Sequence, residues 1–385
     1  MADRPTAAIF DLDRTLLRGG SGPVISHALQ RVGLLPERRI PGEGLLFRSF
    51  ELFGENRLAM AGTRNAARFT AGWPRATAQQ AGELAADALG PLVQPFARPL
   101  IERHRGDGRL VVLATTTPYD VVRPLADRLG FDDVVAPRYG ERDDGTYDGT
   151  IAGEFVWGPG KLRAVNAWAA ANDVDLKDSY AYSDSFYDLP LLSAVGHPSA
   201  VNPDPRLLAA AVVRRWPVLH LDVPPGIPKL PVLGVEPQQL LLAVARPELL
   251  PYVRFDIDGT EHIPRDGAAI LVGNHRSYFD PLAIGMTLAK AGRPVRFLGK
   301  KEVFDAPVVG PALRAMGGIR VDRGTGSDEP LKEAAAALAG GQLVALMPQG
   351  TIPRGHAFFD PELKGRWGAA RLYAMTKAPV IPIGL

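Results

Sequence analysis

The stretch LDVPPGIPKLPVLGVEP, residues 221–237, is dense in proline and divides the chain into two parts. Proline fixes φ and has no backbone N–H, so this stretch cannot continue a helix or a central strand. A chain of 385 residues is also too long for one ordinary core. We therefore expect a linker at 222–237 between a first domain at 1–221 and a second at 238–385.

Short apolar segments alternate with helical patterns on both sides of this linker. Before it, strands are predicted in AAIFDLD, RLVVLATTT and SYAYSDS, and helices between them. The turn signals Asp144-Gly145 and Asp148-Gly149 predict a hairpin in DDGTYDGTIAGEFVWG. After the linker, strands in AAILVG, VRFLG, LVALMP and PVIPIG again alternate with helices, one of which opens at Ser327. This alternation is typical of a doubly wound parallel sheet, so both domains are predicted to be α/β.

Composition narrows the possible functions. A formal charge of +2 does not point to nucleic acid as a partner. The absence of cysteine excludes disulfides, thiolate nucleophiles and thiolate metal sites. The start MADRPTAAIFDLD lacks the apolar core of a signal peptide, and no apolar run is long enough to span a bilayer. Any membrane role is therefore expected to be peripheral, on the cytoplasmic side.

Acidic and basic side chains follow several predicted elements of the first domain. Asp11 and Asp13 end a strand, and period-two geometry aims both carboxylates at the same crevice. Two acids there repel unless a cation or a shared proton intervenes. The further candidates are Thr115, Lys161, Asp184 and Asp188. Each alone fits a loop turn or a solvated charge. As an ordered set they indicate metal-assisted phosphoryl transfer through an aspartate nucleophile.

Residues 5–220 resemble the haloacid dehalogenase-like (HAD-like) phosphatases, near the phosphoserine phosphatase branch, through DLDRT, the strand-end Thr115, Lys161 and SDSFYD. The resemblance implies a Rossmann-like core with a helical cap at about 18–105. It also implies Asp11 as nucleophile, Asp13 as acid/base, Thr115 and Lys161 on the phosphate, Mg²⁺ on Asp11, Asp13 and Asp184, and Asp188 behind the metal. Where phosphoserine phosphatases carry a glutamate for the serine ammonium, this chain has Gly20. Phosphoserine is therefore disfavoured as substrate.

The second domain places His275 five positions before Asp280 in LVGNHRSYFDPLAIG. Residues five apart do not face each other on a helix or a strand, so the chain must turn if they touch. Asp280 before Pro281 is typical of a helix N-cap. The pair is either a loop histidine followed by an ordinary cap, or a base and the carboxylate that orients it. Ser277 is a rival nucleophile, but it lacks a nucleophile-elbow setting.

Two further segments carry polar groups near glycine. GGIRVDRG supplies Arg320 and Arg323, whose guanidinium groups suit a phosphate. MPQGT places Gln349 and Gly350 at a strand-end turn. By contrast, Lys300, Lys301 and Arg354 are each expected to form a solvated basic rim.

Residues 250–385 resemble the 1-acylglycerol-3-phosphate acyltransferases in four ordered blocks: NHRSYFD, GGIRVDR, MPQGT and APVIPIG. The resemblance implies His275 as base, Asp280 as its orienter, Arg323 with Arg320 on the acceptor's phosphate, and acyl-CoA as donor. The third block usually reads PEGTR, so Gln349 lacks the glutamate's charge and Ile352 replaces an arginine. Family members usually continue beyond the fourth block, so an incomplete acyl site is expected where the chain ends at Leu385.

The expected protein is a bifunctional phospholipid-synthesis enzyme, acting on a phosphate monoester and on a lysophospholipid at the inner face of the cell membrane. Its candidate membrane surface is PQQLLLAVARPELLPYV, residues 237–253, which equally fits a core helix. Two alternatives stay open. In one, only the phosphatase works and the second domain binds lipid or membrane; in the other, the first domain is a scaffold.

Overall fold

The structure is a computed structural model that describes residues 4–36, 57–224, 227, 229–230, 235–245, 252–322, 328–362 and 364–385. It comprises two compact units, Met1–Leu221 and Asp222–Leu385. In the described part of the chain, no helix combines the length and the apolar character needed to cross a bilayer.

The first unit is built on a parallel sheet in the order β3-β2-β1-β6-β7-β8. The strands of the unit are β1 Ala7–Phe10, β2 Leu110–Ala114, β3 Asp133–Val135, β4 Arg138–Glu141, β5 Tyr147–Ala152, β6 Tyr180–Ser183, β7 His197–Val201 and β8 Val218–Leu219. Successive residues of β1 enter different cores, Phe10 on one face and Ile9 on the other. A strand buried on both faces reads as a continuous apolar run, as β1 does.

Helices pack on both faces of this sheet. The helices of the unit are α1 Gly22–Arg31, α2 Arg57–Ala66, α3 Arg75–Leu89, α4 Ala97–Gly106, α5 Tyr119–Leu129, α6 Pro159–Ala171, α7 Leu189–Ala194 and α8 Pro205–Arg214. The first four lie between β1 and β2, in the region predicted to be a helical cap. Part of that region, residues 37–56, lies outside the described residues. The predicted α/β class with a parallel sheet is confirmed.

The hairpin forms between β4 and β5, but only one of its two predicted turns is a turn. Asp144-Gly145 lies between the strands, whereas Asp148-Gly149 lies inside β5. A Cβ on Gly149 would stand 3.0 Å from the Cβ of Ala71, and Gly149 has φ of +87°. Glycine at this position therefore allows two backbone segments to approach closely, and the chain does not reverse direction there.

His104 is a buried titratable group in the core of the first unit, 1% exposed. Its Nε2 lies 2.7 Å from the Tyr182 hydroxyl, and Arg109 donates to its Nδ1 at 3.1 Å. Because a guanidinium can only donate, Nδ1 is the acceptor and Nε2 carries the proton. Burial, with the charges of Arg109 and Arg103, lowers the pKa of His104 to about 4. The folded core therefore holds a neutral imidazole.

This lowered pKa predicts acid sensitivity of the first unit. Between pH 6.5 and about 4 the unfolded chain binds a proton at His104 that the folded chain does not, so stability falls as pH falls through this window. The loss reaches roughly 3 kcal/mol below pH 4. We expect His104→Gln to flatten the dependence of the urea midpoint on pH in this window. An unchanged slope would assign the acid sensitivity to other groups.

The second unit contains a parallel sheet in the order β11-β10-β12-β9-β13. Its strands are β9 Ala269–Gly273, β10 Val295–Lys300, β11 Ile319–Val321, β12 Leu343–Leu346 and β13 Val380–Ile383. Its helices are α9 Pro237–Val244, α10 Asp280–Ala291, α11 Lys301–Phe304, α12 Val309–Ala315, α13 Glu329–Ala339 and α14 Gly368–Thr376. The helix predicted to open at Ser327 is α13, which begins at Glu329; Ser327 itself lies outside the described residues.

A buried arginine ties the start of α9 to this sheet. Arg296, on β10, is 1% exposed and donates to Glu236 at 2.7 Å. It also donates to the side chains of Gln342 and Gln238 and to the Met316 carbonyl. All of these partners are acceptors, so the guanidinium is satisfied although water is excluded.

Removing this arginine is expected to destabilise the second unit strongly. Arg296→Met leaves the buried Glu236 carboxylate without its counter-ion, which typically costs about 3–5 kcal/mol. The double variant Arg296→Met with Glu236→Gln should regain part of this loss, because no unpaired charge remains buried. Urea unfolding of both variants tests the expectation, and a single-variant loss below about 1 kcal/mol contradicts it.

Candidate functional sites

A lysine joins two carboxylates at the carboxyl end of β1 and β6. Lys161 Nζ donates to Asp11 Oδ1 at 2.7 Å and to Asp188 Oδ2 at 2.6 Å. Ser183, the last residue of β6, donates to the same Asp188 oxygen at 2.7 Å. The side chains of Lys161 and Asp188 are both 2% exposed. The family resemblance predicts that Lys161 binds the phosphate and that Asp188 lies behind the metal. The structure adds a direct hydrogen bond between Lys161 and Asp188.

Glycine brings Lys161 to this position. Gly158 has φ of +52°, Pro159 is the first residue of α6, and Gly160 packs directly on the Phe155 carbonyl oxygen. A Cβ on Gly160 would clash with that oxygen, so the first turn of α6 requires glycine. The sequence GPGK therefore delivers the lysine from a helix start into the crevice.

Ser21 connects the second aspartate to the hydroxyl groups that follow β2. The Ser21 backbone N–H donates to Asp13 Oδ1. The Ser21 hydroxyl lies 3.2 Å from the Thr117 hydroxyl, and the Thr117 backbone N–H donates to the hydroxyl of Thr115 at 3.2 Å. Thr115 follows β2, next to β1 in the sheet, so the structure brings Asp13 and Thr115 to one edge. Ser21 and Thr117 were missed in the sequence analysis.

The third acidic group is held by the residues that follow Asp13. Thr15 donates to Asp184 Oδ1 at 3.3 Å and accepts from the Asp184 backbone N–H at 2.9 Å. Arg14 Nε lies 3.3 Å from Asp184 Oδ2. Arg14 has φ of +60°, a left-handed conformation that is uncommon for a residue other than glycine. DLDRT thus links Asp184 to the end of β1. Arg14 and Thr15 could have been proposed as site residues from the sequence, because they directly follow Asp13.

The crevice holds more negative than positive charge. Burial raises the pKa of Asp11 to about 6, against the opposing effect of the Lys161 ammonium. Burial likewise raises the pKa of Asp13. Asp188 Oδ1 is buried and has no hydrogen-bond partner among the described residues. A site of this kind gains from a further positive charge.

The donor set fits a hard divalent cation. Carboxylate oxygens are the ligands that Mg²⁺ prefers. Asp11 and Asp13 follow β1, and Asp184 follows β6, its neighbour in the sheet, so these three carboxylates would be the ligands. The unpartnered oxygen of Asp188 is a further buried acceptor in the crevice. In the described residues no three acidic or histidine side chains already stand together as a metal cluster.

The second unit brings His275 and Asp280 together. His275 Nδ1 lies 2.9 Å from Asp280 Oδ2, and both side chains are largely buried. A carboxylate can only accept, so Nδ1 carries a proton, and in the neutral imidazole Nε2 then keeps its lone pair. The Ser277 hydroxyl accepts from the Phe279 backbone N–H at 3.1 Å, which is an ordinary turn contact.

The expected helix cap at Asp280 is wrong in detail. Asp280 is the first residue of α10, and the N-cap residue is Phe279. The Asp280 carboxylate instead accepts from the backbone N–H groups of Arg276 and Ser277, at 2.7 and 2.8 Å. The carboxylate closes the loop before the helix, because those N–H groups and the imidazole converge on one oxygen.

Residues on both sides of His275 are anchored. Asn274 donates to the Leu385 carbonyl at 3.1 Å and accepts from the Leu385 N–H at 2.7 Å. Arg276 donates to the carbonyl oxygens of Phe358 and Asp360. Both anchors were missed in the sequence analysis, since their partners lie more than 80 positions away.

The candidate phosphate-binding residue Arg320 lies on a different strand from the one that leads to His275. Arg320 is on the edge strand β11, separated from β9 by β10 and β12, and lies 3.6 Å from Asp305. Arg323 lies outside the described residues. Two of the three residues of the predicted basic rim have side-chain partners: Lys300 donates to the Thr351 hydroxyl at 3.2 Å and Lys301 to Asp322 at 3.1 Å.

The third block forms a turn after β12. Gly350 has φ of +66°, which glycine adopts without strain, and its N–H donates to the Met347 carbonyl. Gln349 Oε1 is buried without a hydrogen-bond partner among the described residues. The block therefore follows β12, which pairs with β9, the strand that leads to His275.

Comparison with known proteins assigns both units to families. Residues 8–193 match the haloacid dehalogenase-like hydrolases, and residues 254–385 match the acyltransferases. The chain is 36% identical over 246 residues to the "Inhibition of morphological differentiation protein" of Streptomyces azureus, covering 62% of this chain and 87% of that protein. It is 38% identical over 221 residues to a "Probable phosphatase" of Mycobacterium tuberculosis, covering 57% and 76%. A phosphoserine phosphatase of the same organism is 32% identical over 240 residues, covering 60% and 78%.

The chain thus belongs to the haloacid dehalogenase-like hydrolases and carries an acyltransferase-family domain after the hydrolase domain. The fusion suspected from the two sets of motifs is confirmed. Hydrolysis of phosphate esters and transfer of acyl groups are the chemistries that these families define.

Proposed function

We propose that this chain is a bifunctional enzyme of phospholipid synthesis, with a Mg²⁺-dependent phosphomonoesterase site in residues 1–221 and an acyltransferase site in residues 238–385, joined by a linker at 222–237. The acyl donor is acyl-CoA, and the acceptor is a lysophosphatidate-like lipid. The Lys161 bridge between Asp11 and Asp188 is the observation that carries the first activity. The bond between His275 and Asp280 carries the second.

In the first site, a carboxylate oxygen of Asp11 attacks phosphorus and the bond to the leaving oxygen breaks. Asp13 gives a proton to that leaving oxygen and later takes one from the water that hydrolyses the aspartyl-phosphate. Lys161 and Thr115 hold the phosphoryl oxygens, and Asp188 orients Lys161. Asp11, Asp13 and Asp184 would hold Mg²⁺, which would neutralise charge on the phosphoryl group.

In the second site, His275 Nε2 takes the proton from the acceptor hydroxyl. The resulting oxygen nucleophile attacks the thioester carbonyl, the carbon–sulfur bond breaks, and the imidazolium returns its proton to the departing thiolate. Asp280 holds Nδ1–H and stabilises the imidazolium. Arg323 binds the acceptor's phosphate. Gln349 and Gly350 shape the turn after β12, the neighbour of the strand that leads to His275.

An acyl-chain substrate places this enzyme at the inner face of the cell membrane. Support comes from α9, whose Leu240 and Leu241 are 42% and 50% exposed. Leucine side chains exposed on a helix suit a peripheral contact with lipid. The chain from 246 to 251 lies outside the described residues.

A substrate screen tests both halves. The purified chain is incubated with Mg²⁺ and a panel of phosphate monoesters, and separately with acyl-CoA and a panel of lysophospholipids, with products detected by mass. We expect release of phosphate from a monoester other than phosphoserine, because Gly20 offers no counter-charge to a serine ammonium. A clear preference for phosphoserine contradicts that specificity. Phosphate release without acyl transfer would favour a lipid-binding second domain.

A further inference from the structure

Arg14, inside the DLDRT segment, has a backbone that is held in an unfavourable conformation. Its φ of +60° is left-handed, which costs free energy for a residue that carries a side chain. The Arg14 N–H donates to the Gly19 carbonyl at 3.1 Å, and the Asn202 side-chain amide donates to the Arg14 carbonyl at 3.4 Å. These two hydrogen bonds hold the residue on both sides, so the fold fixes where its side chain starts.

The Arg14 side chain lies on a carboxylate that is proposed to bind Mg²⁺. Arg14 Nε is 3.3 Å from Asp184 Oδ2, and the Arg14 side chain is 26% exposed where that of Asp184 is 6% exposed. The pair therefore joins a buried carboxylate to a guanidinium that solvent still reaches. Because a guanidinium does not lose its proton in proteins, a permanent positive charge stands beside the site.

The position of Asp184 does not depend on this arginine alone. Thr15 donates to Asp184 Oδ1 at 3.3 Å and accepts from the Asp184 backbone N–H at 2.9 Å. What Arg14 adds is charge. The crevice joins four carboxylates and one ammonium, those of Asp11, Asp13, Asp184, Asp188 and Lys161. Their formal charges sum to three negative charges, and Arg14 reduces this sum to two.

We propose that Arg14 is a built-in counter-ion of the metal site, which weakens the binding of Mg²⁺ and strengthens the binding of the phosphate group; the inference rests on the Mg²⁺ site proposed above. A guanidinium and a divalent cation on one carboxylate repel each other, so each weakens the binding of the other. The same positive charge attracts a phosphate monoester, which is an anion. Arg14 therefore acts in opposite directions on the two ligands of the site.

Two substitutions of Arg14 separate the effect of charge from that of shape. Arg14→Gln removes the charge and Arg14→Lys keeps it, and both retain a β-carbon at the left-handed position, so the backbone cost is matched. Binding of Mg²⁺ to the full chain, measured by isothermal titration calorimetry, should be about tenfold tighter in Arg14→Gln and within about twofold of wild type in Arg14→Lys. Arg18→Gln, at an exposed arginine, controls for net charge and should also stay within about twofold.

Binding of inorganic phosphate to the Mg²⁺-saturated chain is the second measurement. Arg14→Gln should bind phosphate at least about threefold more weakly than wild type. A misplaced Asp184 or a damaged fold would weaken both ligands, so opposite shifts identify the effect of charge. The rise in unfolding midpoint at a fixed Mg²⁺ concentration should be larger in Arg14→Gln than in wild type, because the tighter ligand stabilises the folded state more.

The outcomes distinguish this inference from the proposed function. Unchanged or weaker Mg²⁺ binding by Arg14→Gln, phosphate binding that does not weaken, or equal tightening of Mg²⁺ binding in Arg14→Lys overturns the role of Arg14 and leaves the phosphatase proposal standing. If the opposite shifts appear but no monoester is hydrolysed, the proposed hydrolysis fails and the role of Arg14 stands. If wild type and both variants bind no Mg²⁺, the metal site fails and the inference fails with it.

Discussion

Asp11→Asn is expected to reduce phosphate monoester hydrolysis by at least about 10³-fold and to leave acyl transfer unchanged. An amide is a far weaker nucleophile than a carboxylate, and without it no aspartyl-phosphate forms. The substitution keeps the shape of the side chain, and an amide oxygen can still accept from Lys161. The loss should therefore appear in kcat, measured as phosphate release from the best substrate of the screen.

A matched control for this variant is Asp173→Asn, the same change at an aspartate whose side chain is 74% exposed. It should keep full hydrolysis. Mass spectrometry of the trapped intermediate is a second measurement. The wild type should carry a phosphoryl group on Asp11, and the Asp11→Asn variant should carry none at that position. Substantial turnover by Asp11→Asn would show that another residue attacks phosphorus.

His275→Ala is expected to reduce acyl transfer by about 10²–10⁴-fold, the usual contribution of a positioned general base. Phosphate release should be unchanged. Asp280→Asn should also impair transfer, since a neutral amide does not stabilise the imidazolium as a carboxylate does. Its carbonyl oxygen can take the place of Oδ2 and still accept from Nδ1–H and from the Arg276 and Ser277 N–H groups, so the loop itself should survive. Release of free CoA, followed spectroscopically, measures both variants.

The matched control here is His262→Ala, at a histidine whose side chain is 76% exposed. It should retain transfer. Asp11→Asn changes the nucleophile of one site and His275→Ala removes the base of the other. Together these variants test whether the two sites are independent. If either Asp11→Asn or His275→Ala removed both activities, the proposal of two separate sites would be wrong.

The recognisable motifs are local ones. Asp11 and Asp13 were predicted to end a strand, but β1 ends at Phe10 and Asp13 lies in the turn that follows, so strand periodicity does not set the directions of their side chains. The strands β1, β2, β9 and β12 were found because buried parallel strands read as short apolar runs. The turn at Asp148-Gly149 was predicted wrongly, because a glycine that admits a neighbouring backbone has the same local signature as a glycine in a turn.

The sequence by itself determined the α/β class, the two families and the identity of the main candidate residues, because these depend on residue type and on spacing within one element. Only the tertiary structure decided which groups pair. The Lys161 bridge joins residues 150 and 27 positions apart, and Arg276 reaches carbonyl oxygens more than 80 positions away. The Asp280 carboxylate turns back to the loop and not forward to its helix, since convergence of donors on one oxygen depends on the folded path of the chain. Contacts of this kind arise from packing between strand ends, which no local period encodes.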